Sequence, residues 1–554
     1  MFKFLVLIQF SFFLLFSVPL YGQTPAPEGR VSFGLNGISD WSTQVPFLDL
    51  MKTARPWVGH LPNQWGGQTF DELVALGVIS DEGWPTLIPM GTAKIEALIL
   101  TDQPEDSEHL AGVYTVVFDG SGEVEISGIG RLLNREEGVI SFRYRPGPGS
   151  VGIAITRNDP KNPIRNIKVF KEEHSNLVKS GVQFNPYWLQ RLGKLDKIRF
   201  MDWMDTNSSS AVSPKDMPSE DDFSFAWRGV PIETMVALAN EIHADPWFTI
   251  PHMANDDYVR SFSSKVFENL DPRLIAHVEF SNEVWNFIFD QADWAQRKAN
   301  AAWGDIGDGW MQYYGFRAAS IMDIWTDVFG KASDSRLKRV VSVHTAWPEL
   351  EKAVLYGDRA TEALGDAPVA HFDAYAVTGY FGGELGNPHV TNRLLDEAEK
   401  SAEIEGKSRG LSRASLETFV DRNRFEAAFQ PAADIVERGS LRTLLEDLWP
   451  YHAMAADEAG LDLIMYEGGT HAAPLGEAVS DDLLVEFLSE FNYSKEMAAL
   501  YARAISAWED LSGDTFNAFV DVAPPSKWGS WGALRHLSDQ NPRWDALRSQ
   551  QAVP

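Results

Sequence analysis

Two glutamates hold the positions from which this chain could do chemistry. The run His277-Val278-Glu279-Phe280-Ser281-Asn282-Glu283-Val284-Trp285-Asn286 follows a Pro and a short turn, and polar and apolar side chains alternate along its first half. Alternation of that period reads as a β-strand, so Glu283 stands where the strand stops. A carboxylate there is carried by rigid backbone and still projects into a cleft. In a barrel of parallel strands that end is the face where active sites form. A lone loop glutamate is usually a solvated acid, but here Asn282 can donate a hydrogen bond and Trp285 offers an aromatic surface. A second strand, Leu463-Ile464-Met465-Tyr466, ends in Glu467-Gly468-Gly469. Carboxylates on two strand ends are what retaining glycoside hydrolysis needs, one as nucleophile and the other as acid and then base.

These glutamates need a scaffold, and the chain has 554 residues with which to build it. Strand-like runs begin near Phe33, Ile198, Trp247, Val278, Val340, Ala374, Ile464 and Asn517, with helical patterns between most of them. Such alternation predicts a parallel sheet, and eight units predict a closed (β/α)8 barrel in the α/β class, with an open doubly wound sheet as the rival. Residues 61–172 break the pattern with short β-rich runs and turn punctuation. They are expected to form an inserted β-sandwich-like domain, either carbohydrate-binding or shaping the cleft, so that the barrel comprises residues 31–60 and 173–554. Within the insert, Asp119-Gly120-Ser121-Gly122 predicts a hairpin turn.

Composition narrows the partners. The net charge of −30 would repel nucleic acid or an anionic membrane, and makes a highly anionic polysaccharide unattractive. No Gly-rich phosphate loop follows a strand and no HExxH spacing occurs, so neither a cofactor nor a metal is expected. The absence of Cys excludes a disulfide framework and thiolate metal sites. Residues 5–20 are almost wholly apolar after Lys3, and Gly22 offers a small residue for cleavage. This reads as a signal peptide over residues 1–22, predicting a secreted or periplasmic protein, with an uncleaved membrane anchor as the alternative. The 19 Trp suit sugar-stacking surfaces as well as core. Trp41, at the end of the first strand, reads either as such a platform or as a rim aromatic that plugs the core.

The motifs Asp40-Trp41, Arg199-Phe200-Met201-Asp202-Trp203, Pro251-His252 and Ser281-Asn282-Glu283-Val284-Trp285-Asn286 resemble bacterial secreted proteins labelled cellulose-binding. The placement of Asn282-Glu283 on strand four and Glu467 on strand seven resembles clan A of the glycoside hydrolases. That resemblance implies Glu467 as nucleophile, Glu283 as acid/base and Asn282 on the sugar 2-hydroxyl. It further implies that Arg199 and Tyr380 act on Glu467, and that Trp528 or Trp531 forms the subsite floor. His252 and His344 read as binders of sugar hydroxyls or as structural imidazoles. The competing functions are a non-catalytic carbohydrate-binding barrel and a polysaccharide lyase.

Overall fold

A computed structural model describes residues 31–549. The expected signal peptide, residues 1–22, lies outside them. Eight parallel strands close into a barrel. In chain order they are β1 Val31–Gly34, β2 Lys197–Arg199, β3 Asp245–Ile250, β4 Ala276–Phe280, β5 Leu337–Ser342, β6 Ala374–Phe381, β7 Asp462–Thr470 and β8 Phe516–Phe519. Each strand pairs with the next in sequence, and β1 pairs with both β2 and β8, so the barrel has no free edge.

The strands are buried on both sides, because both sides are covered. All five residues of β4 are buried. Outside, helices present apolar stripes. The helix Asp256–Asn269 buries Tyr258, Val259, Phe262 and Val266, and the Asn255 side chain caps it by accepting from the Tyr258 amide. Inside, Trp247, Val340, Ala374, Ala376, Ile464 and Tyr466 form a separate small cluster. The Arg199 guanidinium lies 5.5 Å from the Trp247 ring centre and 5.3 Å from that of Tyr466. The interior thus holds a charged group sandwiched between aromatic faces, beneath the strand ends.

The β-rich segment forms two antiparallel sheets. One has five strands, in the order Gly67–Gln68, Val58–His60, Lys94–Ile99, Val151–Asn158 and Gly122–Gly128; the other has four, in the order Arg165–Lys171, Gly112–Asp119, Val139–Tyr144 and Arg131–Glu136. Two sequence expectations are corrected here. Val58–His60 pairs with Lys94–Glu96, so the β-rich segment starts before residue 61. The turn at Asp119-Gly120-Ser121-Gly122 is not a hairpin, because the strands on either side of it lie in different sheets. Its glycines serve close approach instead. A Cβ on Gly120 would lie 2.3 Å from the Pro163 carbonyl oxygen, and one on Gly122 would lie 2.2 Å from that of Arg157.

A long helical excursion separates β6 from β7. It includes Pro388–Ser408, Ala414–Asn423 and Glu426–Arg438, and re-enters through a π-helical turn, Leu444–Leu448, fused to the helix Trp449–Ala459. That turn carries Leu444 and Leu448 to the barrel mouth. Among the described residues no helix is long and apolar enough to cross a membrane.

Candidate active site

A cavity of about 440 Å³ opens at the carboxyl ends of the strands, and its wall includes Asn282, Glu283, His344, Tyr380, Glu467 and Trp531. Six of the residues singled out in the sequence therefore meet at one place, drawn from five strands or the loops after them.

Glu467 lies in the buried second half of β7 and is only 5% exposed. Both of its oxygens are held. Arg199 Nη1 donates to Oε1 at 2.6 Å, and the Tyr380 hydroxyl donates to Oε2 at 2.8 Å. Arg199 is itself fixed from below. Its Nε and Nη2 donate to Glu279 Oε2 at 3.3 and 2.9 Å, and Nη2 also donates to Asn282 Oδ1 at 2.9 Å. Glu279 in turn accepts from Trp247 Nε1 at 3.0 Å and from the Ser342 hydroxyl at 2.7 Å. A guanidinium is planar and forked, so it can orient two carboxylates at once. Burial works against the Arg199 charge, but Glu279 and Glu467 more than offset it and raise the Arg199 pKa. Burial likewise pushes Glu467 up from the usual carboxylate range, while Arg199 and Tyr380 pull against it.

Glu283 is held differently. Its one side-chain hydrogen bond comes from the neutral amide of Asn286, whose Nδ2 donates to Oε2 at 3.0 Å. Burial and the nearby Glu467 charge push its pKa up to about 8. The backbone that aims it is unusual. Ser281 has φ +61° and Glu283 φ +44°, both left-handed and neither glycine. Each such residue costs on the order of 1–3 kcal/mol and persists only where its surroundings over-determine it. Here they do. Asn282 between the two is bound by Arg199 and donates from Nδ2 to Asn207 Oδ1 at 3.1 Å. Gln291 Nε2 donates to the Asn282 carbonyl at 2.8 Å and to Asn207 Oδ1 at 2.8 Å.

No protein-family model matches the chain, and no curated protein matches it.

Three residues proposed from the sequence lie away from the cavity. Trp41 is 55% exposed with Arg55 over its ring, and Arg55 is paired with Asp40. His252 is buried and packs edge-on to Trp294, outside the barrel mouth; burial lowers its pKa to about 4, so the ring is neutral. Trp528 is 63% exposed. The tight turn between Ser526 and Gly529, bonded in both directions, throws Trp528 outward. Trp531, just beyond, folds back against Tyr380, His471 and Phe519. Gly529 permits that return, since a Cβ there would lie 2.5 Å from the Trp531 ring.

Some partners were not singled out from the sequence. Glu279 occupies the same strand as the Glu283 loop, at an inward position, and an acid amid Val278 and Phe280 was the available signal. Asp202 lies one turn beyond Arg199, and burial together with the Glu467 charge pushes it up to about 7. His471 also lines the cavity. A larger recess, of about 710 Å³, lies between barrel and β-rich segment beside Phe47, Lys52 and Phe118. Its carboxylates, Asp49, Asp119, Glu220 and Asp221, come from loops and the β-rich sheets rather than from barrel strands, so the chemistry points to the smaller cavity.

Proposed function

We propose that this protein is a secreted retaining glycoside hydrolase, acting on a polysaccharide or oligosaccharide by double displacement. One observation carries the reading: two strand-end carboxylates share a cavity, one bound by a guanidinium and a phenol, the other by a single neutral amide. Paired carboxyls whose environments differ in this way can hold different protonation states at one pH.

In this scheme Glu467, its carboxylate form favoured by Arg199 and Tyr380 against the burial that raises its pKa, attacks the anomeric carbon. Glu283, protonated up to pH values near 8, gives its proton to the departing glycosidic oxygen. The bond from the anomeric carbon to that oxygen breaks as the Glu467–sugar ester forms. Glu283, now a carboxylate, takes a proton from water, and that water displaces Glu467. Asn282 has one amide hydrogen committed to Asn207 and the other available for the sugar 2-hydroxyl. Trp531 and Trp285 supply ring surfaces for the pyranose.

The barrel and the strand positions of Glu283 and Glu467 agree with the clan A resemblance. The two antiparallel sheets agree with an inserted sandwich-like domain. The apolar segment at residues 5–20 supports export. A purely sugar-binding barrel has no need of two opposed carboxyls. A lyase needs a cation free to neutralise a uronate, whereas Arg199 is buried and engaged with Glu279 and Glu467. Incubation of the purified protein with a panel of polysaccharides and aryl glycosides should yield reducing sugar whose first-formed anomer matches the substrate. No release from any substrate, or release of the opposite anomer, would overturn the proposal.

A further inference from the structure

The cavity does not end at its wall. Trp285 and His344 meet edge to face, with ring centres 4.2 Å apart, on the side of the cleft that carries Glu283. A turn in which the Trp347 amide donates to the His344 carbonyl at 3.1 Å carries the chain out to the rim. There Trp347, Trp310 and Phe287 form a row, with ring centres 6.1 and 5.7 Å apart in turn. Trp310 is the buried foundation at 8% exposure, while Phe287 and Trp347 stand 51% and 48% exposed, with Ile288 beside them. Exposed aromatic side chains on adjacent loops are unfavourable unless something covers them.

Two observations say what covers them. The first is continuity: the row extends the aromatic lining of the cleft outward along the loops after β4 and β5. The second is charge. Residues 283–298, 304–317 and 343–352, which carry the row, hold Glu283, Asp290, Asp293, Asp305, Asp308, Glu349 and Glu351 against Arg297, Lys298, Arg317 and Lys352, an excess of negative charge, and Lys352 and Arg317 are engaged with Glu349 and Asp256. An anionic chain is repelled there, whereas a neutral one meets ring faces and surrounding acceptors for its hydroxyls. The exposed Trp41 and Trp528 differ, since Arg55 lies over Trp41 and Lys527 over Trp528. Among the described residues no cation lies over Phe287 or Trp347.

We infer that Phe287 and Trp347, seated on Trp310, are a binding platform for the part of a neutral glycan chain that leaves the cleft on the Glu283 side. The substrate is then an uncharged polymer held well beyond the bond that is cut. This rests on the hydrolase reading for its direction, but its test does not depend on turnover.

The test is retardation of the full-length protein in native gels cast with soluble neutral polysaccharides (mixed-linkage glucan, glucomannan, xyloglucan and xylan), with alginate as the anionic control. The wild-type protein should be slowed by at least one neutral polymer and not by alginate. Trp347→Ala should weaken that binding about tenfold, equivalent to roughly 1.4 kcal/mol, and Trp347→Phe should keep most of it. Hydrolysis of a small aryl glycoside, which does not reach the rim, should be unchanged in both variants. Retardation lost in Trp347→Ala from a wild-type protein without turnover would keep the platform and overturn the hydrolase. Unchanged retardation in Trp347→Ala, retardation by alginate alone, or no retardation at all would overturn the platform. Equal loss of aryl glycoside activity would mark Trp347 as merely structural and overturn it too.

Discussion

Glu467 and Glu283 face one cavity with opposite support. Glu467 sits on a strand, and its oxygens are gripped by Arg199 and Tyr380. Glu283 sits just past a strand, in left-handed backbone, with one amide partner. The first arrangement favours a carboxylate in fixed orientation, as a nucleophile requires. The second leaves a carboxyl whose charge is poorly solvated, so it keeps its proton and can give it away. The same side chain thus receives two chemical characters from its neighbours. Arg199 does not serve both acids alike: it bonds Glu467 and Glu279, and reaches the Glu283 loop only through Asn282.

The comparison breaks most readily at the nucleophile. Glu467→Ala should lower kcat by roughly 10⁴-fold or more on every substrate, the scale seen when a covalent nucleophile is removed. Added azide should restore turnover and give the inverted glycosyl azide. Glu283→Ala should lose about 10²–10⁴-fold on unactivated chains, the usual contribution of acid–base catalysis. It should lose far less on aryl glycosides with good leaving groups, and azide should give the retained product. Equal losses on both substrate classes would remove the distinction between the two glutamates.

The support beneath them should appear in stability. Glu279→Ala leaves Arg199 with an unfilled partner in the barrel interior, and breaking a buried pair costs about 3–5 kcal/mol. Its urea midpoint should fall well below that of Glu283→Ala. A midpoint equal to that of the wild type would show that Glu279 does not anchor Arg199.

A smaller effect concerns pH. The folded state holds the Glu283 proton up to about 8, whereas an unfolded glutamate releases it in the ordinary carboxylate range. The folded state therefore binds more protons between those limits, and this group's contribution to stability falls as pH rises through them. Glu283→Gln should remove that part of the slope. In the wild-type enzyme kcat/KM should decline above pH 8 as the acid loses its proton, and Glu283→Gln should lack that limb. A melting-temperature series from pH 5 to 9 and a rate profile over the same range read both. Smallest of all, Trp528→Ala should leave aryl glycoside turnover within about twofold, as expected of a surface substitution.

The barrel was legible because most of its βα units announce themselves locally, by the strand pattern and a striped helix after it. Glu283 and Glu467 drew attention because one stands just past such a strand and the other in the second half of one. The remainder depended on partners distant in sequence. Glu279 gains its role from Arg199, Trp247 and Ser342, which lie on three other strands. The left-handed Ser281 and Glu283 carry no glycine to signal them. Asp119-Gly120-Ser121-Gly122 looks like a hairpin turn because close approach to another loop calls for the same glycines. Trp41, His252 and Trp528 follow barrel strands in the chain yet do not line the cavity, because the direction of a loop side chain is set by turns such as the one between Ser526 and Gly529.

The most direct test is to trap the intermediate. A 2-deoxy-2-fluoro glycoside with a good leaving group, built on whichever sugar the panel identifies, should inactivate the enzyme by slowing release of the covalent ester. Peptide mass spectrometry should then find one fluorosugar on Glu467. Attachment to Glu283, or an active enzyme that releases the opposite anomer and accumulates no adduct, would contradict the assignment.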